Sequence, residues 1–206
     1  MDIAIPIFDG LTALDAVGPY EVLSRLPDAR VRFLAAEPGP KRTDNGMLAL
    51  TADGALDDLQ SPEVVVMPGG LGTRALMHDE QMLDWVRAAH ETSDWTTSVC
   101  TGALVLGAAG ILDGLEATTH WALMDTLGRI GATPVNRRVV EQGKVITAAG
   151  VSSGIDMALT LAARIAGEDV ARAIQLAIEY DPEPPFDSGS IEKAPPAVVE
   201  LVRRRL

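Results

Sequence analysis

A single cysteine stands where a short β-branched run meets a helical pattern. The run covers residues 96–99 and the helical pattern covers residues 101–109, so Cys100 lies in the turn between them. Strand-to-helix elbows of this kind present nucleophiles in other α/β enzymes, and Gly102 leaves room for the turn. A helix N-terminus stabilises a thiolate, which predicts that Cys100 is reactive at neutral pH. The alternative is an inert, buried cysteine, and position alone does not decide between the two.

A glycine-rich loop follows another predicted strand. The segment Met67-Pro68-Gly69-Gly70-Leu71-Gly72 comes directly after a run of three valines and leads into a helical stretch. The backbone N–H groups of Gly69 and Gly70 could form an anion-binding nest that serves as an oxyanion hole beside the elbow. The loop lacks the lysine of a phosphate-binding loop and the spacing of a dinucleotide fingerprint. Taken alone, it favours an ordinary tight turn.

An aspartate with apolar neighbours follows the first predicted strand. Burial of the Asp15 carboxyl would raise its pKa into the range useful for acid–base catalysis. The spacing Thr12-x-x-Asp15 also fits a capping box at the start of a helix. On spacing alone, capping is the favoured role.

A histidine and two aromatic residues complete the set of candidates. His120 follows a predicted strand at residues 117–119, where it either orients or deprotonates Cys100 or has a structural role. Trp121 and Phe186 are expected in the core or in the wall of a crevice.

The elements that must position these residues alternate along the chain. Short β-rich runs cover residues 3–8, 31–36, 63–67, 96–99, 117–119, 138–141 and 144–147, and helical patterns cover residues 12–26, 81–91, 101–109, 121–130, 152–166, 169–180 and 196–206. The alternation predicts crossover units and a mostly parallel sheet. We therefore expect a flavodoxin-like, doubly wound α/β fold with helices on both faces of the sheet. Ligand crevices in such folds lie at the carboxyl ends of the strands.

Length and composition exclude several classes of protein. The 206 residues favour one domain, residues 1–206, whose irregular C-terminal wrap covers residues 181–206. The net charge of −12 disfavours nucleic acid as a partner. The mean hydropathy of +0.16 is too low for a membrane protein, and the acidic start is unlike a signal peptide, so a cytoplasmic location is expected. One cysteine makes no internal disulfide, and His78, His90 and His120 lack the spacing of metal ligands.

Five segments together resemble the ThiJ/PfpI superfamily, which is class I glutamine amidotransferase-like, over essentially the whole chain. They are Leu14-Asp15-Ala16-Val17-Gly18-Pro19, Pro68-Gly69-Gly70, Thr97-Ser98-Val99-Cys100-Thr101-Gly102, Ala117-Thr118-Thr119-His120-Trp121 and Glu179-Tyr180-Asp181-Pro182-Glu183-Pro184-Pro185-Phe186-Asp187. Within the superfamily, the chain is similar to the isonitrile (isocyanide) hydratase branch. The last segment discriminates best between branches.

This resemblance implies roles for individual residues. It implies that Cys100 is the nucleophile, that Asp15 is the acid–base residue, that Thr101 lies beside the thiol and that Gly70 and neighbouring amides surround the reacting atom. The apolar side chains about Trp121 would accept a hydrocarbon substituent. The peptidase-like branch has histidine where this chain has Thr101, which argues against protease or deglycase activity. Many members have glutamate where this chain has Asp15, and that difference favours the hydratase branch.

The implied activity is hydration of an organic isocyanide to an N-substituted formamide by a homodimer, without a cofactor or metal. The thiolate attacks the isocyanide carbon while Asp15 donates a proton, and water then attacks the resulting thioimidate. The alternatives are a cysteine-based redox or ligand sensor and a glyoxalase- or hydrolase-type enzyme with a more direct role for His120. The regulator branch carries a helix-turn-helix module that is not expected after Leu206.

Overall fold

A computed structural model describes residues 1–204 of the chain. The strands are β1 (Asp2–Pro6), β2 (Arg30–Ala35), β3 (Gly39–Arg42), β4 (Ala49–Ala52), β5 (Gly54–Ala55), β6 (Val64–Met67), β7 (Trp95–Val99), β8 (Glu116–Ala117), β9 (Thr133–Pro134), β10 (Val139–Gln142) and β11 (Val145–Ala148). The helices are α1 (Ala13–Leu23), α2 (Thr73–Leu76), α3 (Glu80–Thr92), α4 (Gly102–Ala108), α5 (Met124–Arg129), α6 (Ser153–Ala166), α7 (Glu168–Ala177) and α8 (Pro196–Arg203). Single 3₁₀ turns lie at Leu56–Asp58 and Trp121–Leu123.

Seven strands form the central sheet in the order β10-β11-β7-β6-β1-β2-β5. All of these pairs are parallel except the β10–β11 hairpin. The predicted doubly wound, mostly parallel sheet is therefore confirmed. The fully buried side chains of β6 show why its sequence is a continuous apolar run, since a parallel sheet is covered on both faces.

The winding of the sheet reverses at β1. The chain passes from β1 to β2 in one direction and from β6 to β7 in the other, so right-handed crossovers place α1 and α3 on opposite faces. Helix α6 packs against α1, and α4 packs against α3. The loops after β1, β6 and β7 meet at this reversal, which is where doubly wound sheets hold ligands. Asp15, Gly69, Gly70, Cys100 and Thr101 lie in these loops or in the first turns of the helices that follow them, whereas His120 and Trp121 follow β8.

Several sequence predictions fail for local reasons. The strand expected at residues 117–119 is reduced to β8, because the Thr118 amide bonds to the Thr147 hydroxyl and the Thr119 hydroxyl bonds to the Cys100 carbonyl. Phe186, expected in the core or a crevice wall, is 78% exposed. Its proline-rich surroundings keep the chain on the surface.

The β3–β4 hairpin was not predicted, because its Gly-Pro-Lys-Arg strand lacks the alternation of a half-buried strand. The helix predicted at residues 196–206 is observed as α8, while residues 205–206 lie outside the described part of the chain. Among residues 1–204, each helix is too short or too polar to cross a membrane.

Candidate active site

The turn at Cys100 is held in a strained backbone conformation. Cys100 has a backbone φ of +56°, a left-handed value that residues other than glycine rarely adopt. Its N–H donates to the carbonyls of Ala148 (3.1 Å) and Ala149 (2.9 Å), and its carbonyl accepts from the Thr119 hydroxyl (2.7 Å). These bonds from β11 and from the segment after β8 fix the elbow, so the thiol faces the end of the sheet.

The turn also depends on Gly102, two residues after Cys100. A Cβ at Gly102 would lie 2.1 Å from the Met67 carbonyl oxygen, which no side chain tolerates. The sequence prediction that Gly102 leaves room for the elbow is therefore confirmed, and its steric neighbour is the end of β6.

Asp15 reaches the same point from α1. Its side chain is fully buried, and Oδ2 accepts a hydrogen bond from the Gly69 amide at 2.9 Å. Oδ1 has no hydrogen-bonding partner among residues 1–204. The capping box favoured by the spacing is wrong, because the Thr12 hydroxyl donates to Asp44 (2.7 Å) instead of capping the helix. A buried carboxyl oxygen without a partner favours the neutral acid.

The glycine-rich loop connects Asp15 to the elbow. The Gly70 amide donates to the Thr101 hydroxyl oxygen (2.8 Å), and that hydroxyl donates to the Gly70 carbonyl (3.1 Å). The Gly69 amide is bound by Asp15. Both amides are therefore engaged by protein groups and position Asp15 and Thr101, while an oxyanion-hole role for them stays a prediction.

Replacing Gly69 with alanine is expected to disrupt this arrangement. A Cβ at Gly69 would lie 2.5 Å from the Thr101 nitrogen and 2.9 Å from Asp15 Oδ2, so the loop or the elbow must move. We expect G69A to lose turnover by at least about 10²-fold, because small displacements of reacting groups have effects of that size. Gly143→Ala, in the β10–β11 turn, is the control, since a Cβ there meets open space while the positive φ strains the backbone, which tests whether a loss of stability alone lowers turnover. Equal turnover in the two variants would contradict the prediction.

Burial sets the protonation of the Asp15–Cys100 pair. Burial raises the pKa of Asp15 to about 7, against the lowering effects of the Gly69 amide and the Cys100 thiol, and Asp44 adds a further increase. Burial and then the charge of Asp15 raise the pKa of Cys100 to about 12, although the amides of Val151 and Thr101 and the Thr101 hydroxyl lower it. The two groups thus hold two protons below about pH 7 and one proton above it.

The predicted effect of the helix N-terminus on the thiol is therefore outweighed. The Thr101 amide acts in the expected direction, but desolvation of a buried thiolate is the larger effect. Cys100 becomes a thiolate at neutral pH only when its proton passes to Asp15, because that transfer leaves the charge of the pair unchanged.

His120 lies in the wall of the same cavity without forming a Cys–His hydrogen bond among the described residues. Its Nδ1 accepts from the Ala122 amide (3.3 Å), so the neutral ring carries its proton on Nε2. Burial lowers the pKa of His120, which keeps the ring neutral. Trp121 packs beside it with ring centroids 5.5 Å apart.

A cavity of about 240 Å³ opens onto Cys100, and we call it the Cys100 cavity. Its apolar wall consists of Leu71, Leu104, Leu123 and Val151, and its polar wall includes Thr12, Thr73, Thr101, Asp44, Arg74 and His120. Trp121 is not part of this wall. The sequence analysis did not name Val151 as a site residue. Val151 follows β11, so the rule that ligands lie at the carboxyl ends of the strands could have identified it. Asp44 lies in the β3–β4 hairpin, which was not predicted, and no sequence pattern marked it as a site residue.

The arrangement of an acid on the first helix, a glycine loop and a cysteine elbow can be compared with known proteins. The sequence profile of the DJ-1/PfpI family matches residues 1–164. The chain belongs to the DJ-1/PfpI family. This confirms the resemblance that the five sequence segments indicated.

Relatives within this DJ-1/PfpI family differ in their described activities. The chain is 46% identical to an isonitrile hydratase of Pseudomonas putida over 205 residues, which covers 100% of this chain and 90% of the relative. It is 31% identical to the HTH-type transcriptional regulator CdhR of Pseudomonas aeruginosa, covering 81% of this chain and 50% of the regulator. A crystal structure of a ThiJ/PfpI family protein from Pseudomonas syringae superposes with a TM-score of 0.93 at 37% identity, covering 98% of this chain and 86% of that one.

Proposed function

We propose that this protein is an isonitrile hydratase that adds water to an organic isocyanide and releases an N-substituted formamide. The observation that carries the proposal is the position of Cys100 in the wall of the Cys100 cavity, with the fully buried carboxyl of Asp15 in hydrogen-bonding contact with its thiol. The full-length similarity to the Pseudomonas putida isonitrile hydratase supports it. An isocyanide is small and weakly polar, and its terminal carbon must receive both a proton and a nucleophile.

The first step uses both groups of the pair. The thiol proton passes to Asp15, which donates it to the isocyanide carbon as the Cys100 sulfur bonds to the same carbon. The product is a thioimidate, R–N=CH–S–Cys100, and Asp15 is left as a carboxylate. Charge moves from the sulfur to the carboxylate, so no net charge is created in the buried site.

The second step adds water and restores the pair. Asp15 takes a proton from water as the oxygen bonds to the thioimidate carbon, and the substrate nitrogen receives that proton back. The C–S bond then breaks, the electron pair returns to sulfur, and the hydroxyl proton passes to Asp15. The formamide R–NH–CHO leaves, and the return of the proton from Asp15 to the Cys100 sulfur restores the thiol and the carboxylate of the starting state.

Other residues have supporting roles in this proposal. The Thr101 hydroxyl and amide stabilise the sulfur, and Gly69 and Gly70 hold Asp15 and Thr101 in place. His120 offers its Nε2–H to the cavity. The leucines of the cavity wall contact the hydrocarbon substituent in this proposal. The sequence analysis had placed that contact around Trp121. The chain's own residues supply every proton transfer, so the proposed mechanism includes no cofactor. We also infer that the protein is a homodimer.

The direct test follows formamide production from an aliphatic isocyanide. Purified protein incubated with pentyl isocyanide is expected to yield N-pentylformamide, detected by proton NMR, at a rate proportional to enzyme concentration. Acid-catalysed hydration is subtracted with protein-free samples at each pH. If the folded protein produces no formamide above this background, the proposal is wrong.

The shared proton also predicts the pH profile. The pair holds two protons below about pH 7 and one proton between about 7 and about 12. Since only the one-proton form places a thiolate beside an acid, we expect kcat/KM to rise about tenfold per pH unit below pH 7 and to level off above it. Steady-state rates from pH 5 to about 10 measure this. An activity that falls as the pH rises through 7 contradicts the assignment.

A peroxide-responsive cysteine sensor is the alternative function. Oxidation to a sulfenic acid requires an accessible thiolate. Cys100 is only 5% exposed and its pKa is raised to about 12, so the free thiolate that such a sensor needs is scarce at neutral pH. The hydratase needs the thiolate only transiently, after the thiol proton has passed to Asp15.

A further inference from the structure

A second and larger cavity adjoins the Cys100 cavity. It has a volume of about 680 Å³, and we call it the distal cavity. His120 and Val151 belong to the walls of both cavities. The wall of the distal cavity also contains Thr119 and Ala149, whose hydroxyl and carbonyl groups bond to the backbone of Cys100. The two cavities thus share part of their walls next to the reactive turn.

The distal cavity differs from the Cys100 cavity in its chemistry. Two consecutive arginines, Arg137 and Arg138, line it together with the Ser152 and Ser190 hydroxyls. A third guanidinium lies nearby, because Arg203 stacks over the Trp121 ring at 5.9 Å from its centroid. Arg203 also pairs with Glu200, with Nη1 and Oε1 3.1 Å apart.

Each of these arginines already has an acidic partner. Arg137 pairs with Glu116 through Nη2, and Arg138 pairs with Asp156 through Nε and contacts Ser152 through Nη2 at 3.3 Å. The acidic side chain in the cavity wall, Glu192, accepts a hydrogen bond from the neutral Asn136 amide, so the cavity offers an anion directed N–H donors rather than net positive charge. A guanidinium has five N–H donors in a planar fork, so each arginine keeps donors for a ligand. The helix α6 begins here too, and its N-terminal dipole adds partial positive charge.

We propose that the distal cavity binds a carboxylate on the substituent of the isocyanide, so that the preferred substrates are isocyano carboxylic acids. In this arrangement the isocyano carbon meets Cys100, the linking chain passes His120 and Val151, and Arg137 and Arg138 hold the carboxylate. Paired N–H donors match a carboxylate better than any neutral polar group. The inference rests on the proposed hydratase function and names its substrate class.

The test compares substrates that differ only in charge. ω-Isocyanopentanoate, its methyl ester and pentyl isocyanide have similar lengths. We expect KM for the acid to be at least about tenfold below KM for the ester in low salt, with the difference shrinking in high salt as screening weakens the contact. Equal KM values for acid and ester would overturn the subsite and leave the hydratase intact. Failure to hydrate all three compounds would refute the hydratase itself.

Three variants locate the contact. Arg137→Gln is expected to raise the ratio of KM for the acid to KM for the ester by about tenfold, the effect of losing a charged hydrogen bond. Arg164→Gln is the matched control, because Arg164 pairs with Glu141 and lines neither cavity, so its ratio should stay at the wild-type value. Gly189→Phe fills the distal cavity from a position where a Cβ meets open space, and it should raise the same ratio without removing any charge. Ratios unchanged in both Arg137→Gln and Gly189→Phe would place the acid elsewhere.

Discussion

Replacing Cys100 with alanine is expected to abolish formamide production, with a loss of at least about 10⁴-fold in kcat, since removal of a nucleophile leaves only binding and positioning effects. The fold should be retained, because the substitution removes one sulfur atom from a residue that borders a cavity. Formamide NMR and a thermal unfolding curve measured on the same sample separate these two effects.

Ser98→Ala is the matched control for that variant. Ser98 lies two residues earlier on β7, and its buried hydroxyl has no hydrogen-bonding partner among the described residues. Its removal should leave turnover within about twofold and raise the unfolding temperature, since an unsatisfied buried hydroxyl destabilises the folded state. Turnover that survives in Cys100→Ala would rule out the thioimidate pathway. Loss of turnover in both variants would instead indicate a general disturbance of the elbow.

Replacing Asp15 with asparagine is expected to lower kcat by at least about 10³-fold, because the proposed proton transfers of both steps pass through this carboxyl. Asparagine keeps the size of the side chain and an oxygen that can accept from the Gly69 amide. The loss should therefore appear in kcat without unfolding of the protein. Asp53→Asn, at an exposed aspartate between β4 and β5, is the control for removal of a negative charge.

The same variant should be more stable than the wild type at neutral pH. The folded state holds the proton of Asp15 up to about pH 7, whereas the unfolded chain loses it near the ordinary value of 3.8. The folded state thus binds more protons between these values, and wild-type stability falls as the pH rises from 3.8 to 7. Asparagine does not titrate, so its advantage in unfolding temperature should grow over that range. A constant difference between pH 4 and pH 8 contradicts the raised pKa of Asp15.

Sequence patterns determined the architecture and the positions of the main candidates. Alternation of apolar strands and helices predicted the parallel sheet, and the rule that ligands lie at strand ends selected Cys100, Gly69, Gly70 and His120. The prediction of the fold succeeded because hydrophobic periodicity and turn chemistry are local properties of the chain.

Only the tertiary structure decided which candidate residues contact one another and how those contacts change their pKa values. The spacing of Thr12 and Asp15 favoured a capping box, but packing of α1 against the glycine loop buries Asp15 beside Cys100. The helix N-terminus predicted a reactive thiolate, yet burial and the charge of Asp15 raise its pKa. Desolvation and charge coupling depend on residues far apart in sequence. The proton shared by Asp15 and Cys100 is therefore a property of the folded protein, because no stretch of the chain contains both groups.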